Sequence, residues 1–217
     1  MRPLVFLDAN VLAKPVTRTL LVYAGNLSGY DVAWSRHVEE EADRNRRPNQ
    51  APVRVAREAA QMEWSLAGVR ADRYESTEPG DRQVVADAVA ADAIFIITED
   101  VDDFGLTDLV VAGMAAVNPD LFLSVRATDD GYAQAIRLMS AGMTNPCRTP
   151  EELHARLGRQ HPLTTKAHRS VFDAKPLPPV NNPPGVLYRG QRCLACLGVR
   201  EGLTAGVCDG CRESTEG

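Results

Sequence analysis

The chain reads as an α/β protein with a central parallel sheet, followed by a helical extension and a small cysteine-bearing segment. Three observations predict this. Short apolar runs, above all Leu4-Val-Phe-Leu7 and Ala93-Ile-Phe-Ile-Ile97, alternate with stretches of helical spacing. A run that is apolar at every position is buried on both faces, as central parallel strands are. Strands that alternate with helices connect by right-handed crossovers and pair in parallel. Beyond them, prolines from Pro176 to Pro184 precede two CxxC pairs.

The elements follow in order. Leu4–Leu7 is a buried strand ending at Asp8. Pro15 opens a helix through about Ala24, with Gly25 and Asn26 as stop signals. Asp31–Trp34 is a second strand, and Ser35 caps a helix over 36–47. Val55, Ala59, Met62 and Leu66 share a face of a helix from Pro52. Val69–Tyr74 fits a short strand. A turn at Glu78-Pro-Gly80 leads into a helix from Asp81, on which Val84, Val85 and Ala88 share an apolar side. Then comes the strand ending at Ile97. A helix over 108–113, a strand over 114–117 and a helix opened by Asn118-Pro119 complete the alternation. Further helices start at Asp129/Asp130 and at Thr149-Pro150, where Pro at the first helical position and acids in the first turn mark the start.

Net charge is −5, so the chain as a whole is no polycation. The charge is uneven: residues 1–143 carry 14 Lys/Arg against 22 Asp/Glu, and residues 144–192 carry 8 against 3. An acidic body beside a basic segment suits an acid-lined site next to a polyanion-gripping surface. No apolar run reaches the length of a membrane span or of a signal-peptide core. The expected location is therefore cytoplasmic, where cysteines stay reduced.

Acids gather at places a parallel sheet can bring together. Asp8 ends the first strand. Glu39, Glu40 and Glu41 follow the second. Asp81 starts the helix before the long buried strand, and Asp100, Asp102 and Asp103 follow that strand. Each has a plainer role available. Asp81 and Asp108 suit helix N-termini, the glutamates suit a solvated face, and Asp100–Asp103 suit a turn. Asp8 is the hardest to assign that way, because an acid at a buried strand end is costly without a partner. Carboxylates brought together repel unless a cation sits among them, and Mg²⁺ or Mn²⁺ takes such hard oxygen ligands.

These residues resemble a family. Phe6-Leu-Asp8-Ala-Asn10-Val-Leu12, Ser35…Glu41-Ala-Asp-Arg44, Asp81…Thr98-Glu-Asp100…Asp103-Phe104 and Asn118-Pro-Asp-Leu-Phe-Leu123 are similar to the PIN domain, the fold of VapC-type toxin ribonucleases. The resemblance spans roughly residues 1–126 and implies a three-layer α/β/α nuclease fold with a parallel sheet. It implies that Asp8, Asp81 and Asp100 or Asp103 hold Mg²⁺ or Mn²⁺. Glu41 completes the shell directly or through water, with Glu40 as its alternative, and Asn10 and Thr98 orient the carboxylates. Arg44 falls to the RNA. The fourth acid stays open between Asp100 and Asp103, since a strand-end turn cannot aim Asp100, Asp102 and Asp103 inward together. The implied reaction is hydrolysis of RNA phosphodiester bonds, toxin-like, with an RNA-processing nuclease or a non-catalytic RNA- or protein-binding protein as alternatives. A cognate antitoxin and a homodimer are the partners it implies beside RNA.

Residues 127–175 form the helical extension. Its Arg148, Arg156, Arg159, Lys166 and Arg169 are candidate RNA phosphate contacts. His154, His161 and His168 recur every seven residues, but Gly158 and Pro162 break the face a histidine metal site would need. Residues 176–188 read as a stiff linker and 189–217 as a zinc ribbon. In the ribbon, Cys193-x-x-Cys196 and Cys208-x-x-Cys211 form a Cys₄ structural zinc site, with Gly198 and Gly210 to turn tightly. Cys147 is left over as a half-buried thiol.

Overall fold

The computed structural model describes residues 2–179 and 185–214 of the chain. Its centre is a five-stranded sheet in the order β2-β1-β3-β4-β5. β1 (Leu4–Leu7), β2 (Asp31–Ala33), β3 (Phe95–Ile97) and β4 (Ala115–Val117) are parallel. β5 (Tyr188–Gly190) is antiparallel to β4. Every residue of β3 and β4 is buried, and so are Val5–Leu7 of β1, which explains their unbroken apolarity.

The first crossover holds α1 (Ala9–Leu12) and α2 (Pro15–Ser28). The second holds α3 (Arg36–Asn45), α4 (Val53–Ala59) and α5 (Arg82–Ala90), and the third holds α6 (Leu106–Ala112). β1 to β2 steps one way along the sheet, and β2 to β3 to β4 steps back. Right-handed connections therefore put α2 on one face and α5 and α6 on the other. α7 (Pro119–Arg126) and α8 (Asp129–Gly142) both pack on α2. Then follow α9 (Pro150–Leu157), α10 (Pro162–Ala167) and, after β5, α11 (Asp209–Glu213). Among the described residues no helix is long and apolar enough to cross a membrane.

Three local expectations are corrected. α2 runs through Gly25 and Asn26 and stops at Gly29, whose φ is +75°. Gly25 is there for space: a Cβ would come within 2.8 Å of the Tyr30 carbonyl oxygen. The helix from Pro52 ends at Ala59 rather than near Leu66. Gln61 takes φ +54°, and the chain then passes the residues that follow β2, with Ser65 N–H donating to Trp34 O at 3.0 Å. Residues 69–74 form no strand but a 3₁₀ turn over Ala71–Arg73. Val69 is 78% exposed, so extending this stretch would have buried too little to hold it in a sheet.

The extension after residue 126 shares the core of the sheet domain: Tyr132, Ile136, Leu153, Leu157 and Phe172 belong to one cluster with Phe95 and Phe122. The seven-spaced histidines are core residues. His154 Nδ1 bonds Tyr132 OH (2.8 Å), His161 Nε2 bonds Thr17 Oγ1 (2.9 Å), and His168 stacks on Tyr132 with ring centroids 4.6 Å apart. Asp120, at the start of α7, accepts the backbone N–H of Leu163 (3.0 Å) and Thr164 (2.8 Å), which fastens the first turn of α10. Part of the expected linker, residues 180–184, lies outside the described residues. Cys147 is exposed rather than half-buried.

Candidate metal centre and cysteine cluster

The carboxyl ends of β1 and β3 lie side by side, because Leu7 is in register with Ile97. The residues that follow, Asp8 and Thr98, therefore meet. Thr98 Oγ1 donates to Asp8 Oδ2 at 2.8 Å, and Asp8 Oδ1 accepts the N–H of Ala9 at 2.6 Å as the cap of α1. Asn10 Nδ2 donates to Thr98 Oγ1 (2.9 Å) and to Asp100 Oδ2 (3.0 Å), while its Oδ1 accepts Glu99 N–H (3.2 Å). Thr98 Oγ1 also accepts Asp100 N–H at 3.1 Å. One hydroxyl and one amide thus tie two carboxylates to two strand ends.

Asp8 is 4% exposed, and no cation pairs with it among the described residues. Burial pushes its carboxyl up to about 7, against the hydrogen bonds from Thr98 and Ala9; the charges of Asp81 and Glu41 push the same way as burial. Asp81 opens α5 but makes no capping hydrogen bond, so the helix-cap reading does not account for it. Burial, then Asp103, Glu41, Asp100 and Glu78, raise its carboxyl to about 6. Asp103 is raised as well, by burial and by Asp100, Glu78 and Asp102, with Arg189 pulling the other way. The charges of Glu41 and Asp81 thus reach Asp8, and those of Asp103, Glu41 and Asp100 reach Asp81, each adding to the larger effect of burial. Glu78 acts on Asp81 as well, a residue the sequence showed only as part of a turn.

The acids that do not belong are equally clear. Asp102 is taken by Arg189, Nη2 to Oδ1 at 2.7 Å. Glu39 is buried and accepts from Trp34 Nε1 (2.9 Å) and Arg57 Nε (3.0 Å), so it is part of the core. Glu40 is exposed and paired with Arg36 at 2.8 Å. Of the three consecutive glutamates, only Glu41 acts on Asp8 and Asp81. Asp108 accepts Thr77 N–H at 2.8 Å and supports the loop before α5. Asp87, which no motif marks, is fully buried and accepts Gly68 N–H (2.7 Å) and Gln83 Nε2 (2.6 Å).

The four cysteines form the tightest ligand group. Cys193, Cys196, Cys208 and Cys211 have Sγ atoms all within 4.8 Å of one another, with Cys196 and Cys208 at 3.9 Å. Sulfurs at about 2.3 Å from a tetrahedral Zn²⁺ stand about 3.8 Å apart, so this set could hold a metal such as zinc. Burial pushes the Cys193 thiol up, but N–H groups of Cys196, Cys208 and Ala195 outweigh it and bring it to about 6, the direction a ligand needs. The tight turns differ from expectation: the left-handed residues are Leu197, Gly202, Ala205 and Gly206, not Gly198 and Gly210. Among the described residues no three carboxylates approach one another as closely as these sulfurs do.

The basic candidates are spread over the surface. Arg44, Arg156, Arg159, Lys166 and Arg169 are exposed and Arg148 is half-buried. Lys166 and Arg169 line a shallow cleft with Ser124, Leu163 and Ala167. Comparison with protein-family models, with curated proteins and with solved structures returned no match.

Proposed function

We propose that the chain is a divalent-metal-dependent endoribonuclease with a PIN-like fold. The observation that carries this reading is the Asp8–Thr98–Asn10–Asp100 network beside Asp81, Glu41 and Asp103. Two buried or half-buried carboxylates there are raised to about 7 and 6 with no cation among them. Such a group costs free energy in the metal-free chain, and Mg²⁺ or Mn²⁺ would remove that cost. Asp8, Asp81 and Asp100 or Asp103 would hold it. The carboxylates do not stand close enough to form a metal-holding group by themselves, so an ion there would depend on water and a phosphate oxygen of the substrate to complete its shell.

When bound, the ion supplies charge for the phosphate and lowers the pKa of a coordinated water. The residues of the chain do the rest. Thr98 and Asn10 hold the carboxylates of Asp8 and Asp100 in place. Glu41, whose charge acts on both Asp8 and Asp81, would complete the shell directly or through water. Arg44 and the exposed Arg156, Arg159, Lys166 and Arg169 contribute phosphate contacts away from the acids. The four cysteines would close a tetrahedral shell on zinc, which leaves no open position for chemistry and makes that ion structural.

Purified protein incubated with total RNA and Mn²⁺ should release discrete fragments. Asp8→Asn and Asp81→Asn should each lower the rate by about a thousandfold or more while keeping a cooperative thermal transition. Undiminished cleavage in either variant would sink the proposal. Within it, the reading is a toxin of the VapC type: induced expression should arrest growth and the Asp8→Asn chain should not. Continued growth with an active enzyme points to RNA processing.

A further inference from the structure

The cysteine segment is not a module on a tether. Its first residues are β5, the fifth strand of the main sheet, with Val117, Ala116 and Ala115 opposite Tyr188, Arg189 and Gly190. Asn118 N–H donates to Leu187 O at 2.9 Å, continuing the pairing past the strand. Gly190 sits at φ +143°, where a Cβ would come 2.4 Å from that of Ala115, so only glycine lets the two strands close. Arg192 Nε and Nη2 donate to Gly113 O at 2.9 and 2.6 Å. Its Nη1 donates to Leu197 O at 2.8 Å, inside the first cysteine turn. Leu194, between the first two cysteines, is fully buried in the main core, and Arg126 Nη1 donates to Ala195 O at 3.1 Å. The segment has almost no apolar core of its own, so the bond network around the four sulfurs is what shapes it.

From the middle of β5, Arg189 reaches the acidic loop. Its Nη1 donates to the carbonyl oxygens of Asp102 and Phe104, both at 3.1 Å, and its Nη2 to Asp102 Oδ1 at 2.7 Å. These bonds bracket Asp103. The loop is also anchored by a 3₁₀ turn over Val101–Asp103, by Glu78 N–H on Asp103 O at 2.8 Å, by Gly105 N–H on Thr77 Oγ1 at 3.1 Å and by the buried Val101 and Phe104. Among the described residues, however, Arg189 is the side chain that holds the carbonyls of Asp102 and Phe104.

We propose that the metal-loaded cysteine cluster acts as a clamp on the acidic loop, with Arg189 as the positioning residue that joins the two. The metal shapes the turns around Cys193 and Cys196. Those turns hold β5 against β4, and β5 aims the guanidinium fork at the two carbonyls that set the loop. Asp102 is spent in this contact, which leaves Asp100 and Asp103 to face the site. The consequence for catalysis rests on the nuclease reading, but the coupling itself does not.

Hydrogen exchange on the full chain tests the coupling without any substrate. Zinc-loaded protein should protect the amides of 101–105, and chelation of zinc should raise their exchange about tenfold or more along with those of 188–195, leaving β1 unchanged. Arg189→Ala should raise exchange in 101–105 to a similar degree while the chain retains its zinc and the protection of 188–190. Arg189→Lys should fall between, because an ammonium can meet Asp102 but cannot fork to two carbonyls. Unchanged protection of 101–105 after either chelation or Arg189→Ala overturns the proposal. So does an Arg189→Ala chain in which β5 loosens as much as the loop, since the residue would then serve the strand alone. In the RNA assay, zinc-loaded Arg189→Ala should lose about tenfold in kcat with KM little changed. If Asp8→Asn cleaves normally but the exchange coupling is present, the nuclease reading fails and the clamp stands.

Discussion

The chain gathers two sets of potential metal ligands and spaces them differently. The four cysteine sulfurs are drawn within 4.8 Å of one another; backbone N–H groups favour the thiolate of Cys193, while hydrogen bonding with Cys208 pushes the Cys211 thiol up to about 12. The carboxylates of Asp8, Glu41, Asp81, Asp100 and Asp103 are held apart by separate strands, helices and turns. Burial and mutual repulsion press the protonated form on three of them. The first set could hold a metal ion such as zinc in a closed four-sulfur shell. On the proposed reading the second would be completed by a cation, water and phosphate, which would lower the energy of its carboxylates. A closed soft site suits structure and an open hard site suits chemistry.

The largest effect that separates the two should come from the sulfurs. Removing zinc with a chelator, or replacing Cys196 and Cys211 with serine, should lower the main thermal transition by about 10 °C or more, because β5 and Leu194 then lose their hold on the sheet. Stripping Mg²⁺ and Mn²⁺ alone should move it by no more than a few degrees. Calorimetry of the chain with each metal in turn checks this. Equal shifts for the two ions would break the contrast.

The glutamates of α3 should split next. Glu39→Ala leaves the Arg57 guanidinium buried without its carboxylate and the Trp34 indole N–H without an acceptor, at about 3–5 kcal/mol. Glu41→Ala should stay within about 0.5 kcal/mol in stability yet lose most of the cleavage, and Glu40→Ala should change neither. Urea unfolding beside an RNA assay resolves all three. A stable Glu39→Ala chain with lost activity would reverse the assignment.

Those three neighbours also show how far the sequence carries. The alternation of buried runs and helical faces was enough for β1, β3 and β4, because a strand buried on both faces has no polar position. β2, at the sheet edge with Asp31 exposed, was read from its short apolar stretch, and the helix from Pro52 came out shorter than its spacing implied. Asp8 was legible for the same reason: an acid directly after Leu4–Leu7 has nowhere to go but the strand end. Which glutamate faces the site was not derivable from spacing, since it depends on where Arg57 and Trp34 pack. Asp102 looked equivalent to its neighbours until Arg189, 87 positions away, claimed it. β5 was invisible because Tyr188-Arg-Gly190 carries no strand pattern; its partner strand imposes the extension. Val69–Tyr74 failed in the opposite sense, with a strand-like stretch that found no sheet edge.

The smallest effect is a change in the sign of an expectation. Losing a carboxylate from a candidate active site should stabilise this protein. Asp8 titrates near 3.9 when unfolded and at about 7 when folded. Between those values the native chain keeps a proton that the unfolded chain has released. Stability from this group therefore falls as pH rises through the window and levels off above it. A shift of that size corresponds to at most about 4 kcal/mol, and an amide in its place gives back part of this by losing one of two hydrogen bonds. In metal-free protein, Asp8→Asn should thus gain about 2 kcal/mol on the wild type at pH 8 and almost nothing at pH 4. His154 and His161, whose pKa values burial lowers, destabilise both chains alike as pH falls below 6.5, so their effect cancels in the difference. Saturating Mn²⁺ at pH 8 should erase the gain, because an ion held by Asp8 stabilises only the wild type. Urea unfolding of the pair at the two pH values, with and without Mn²⁺, is the measurement. If Asp8→Asn is the less stable chain at pH 8 without metal, the carboxylate is a structural cap and the contrast between a finished and an unfinished site fails at its central residue.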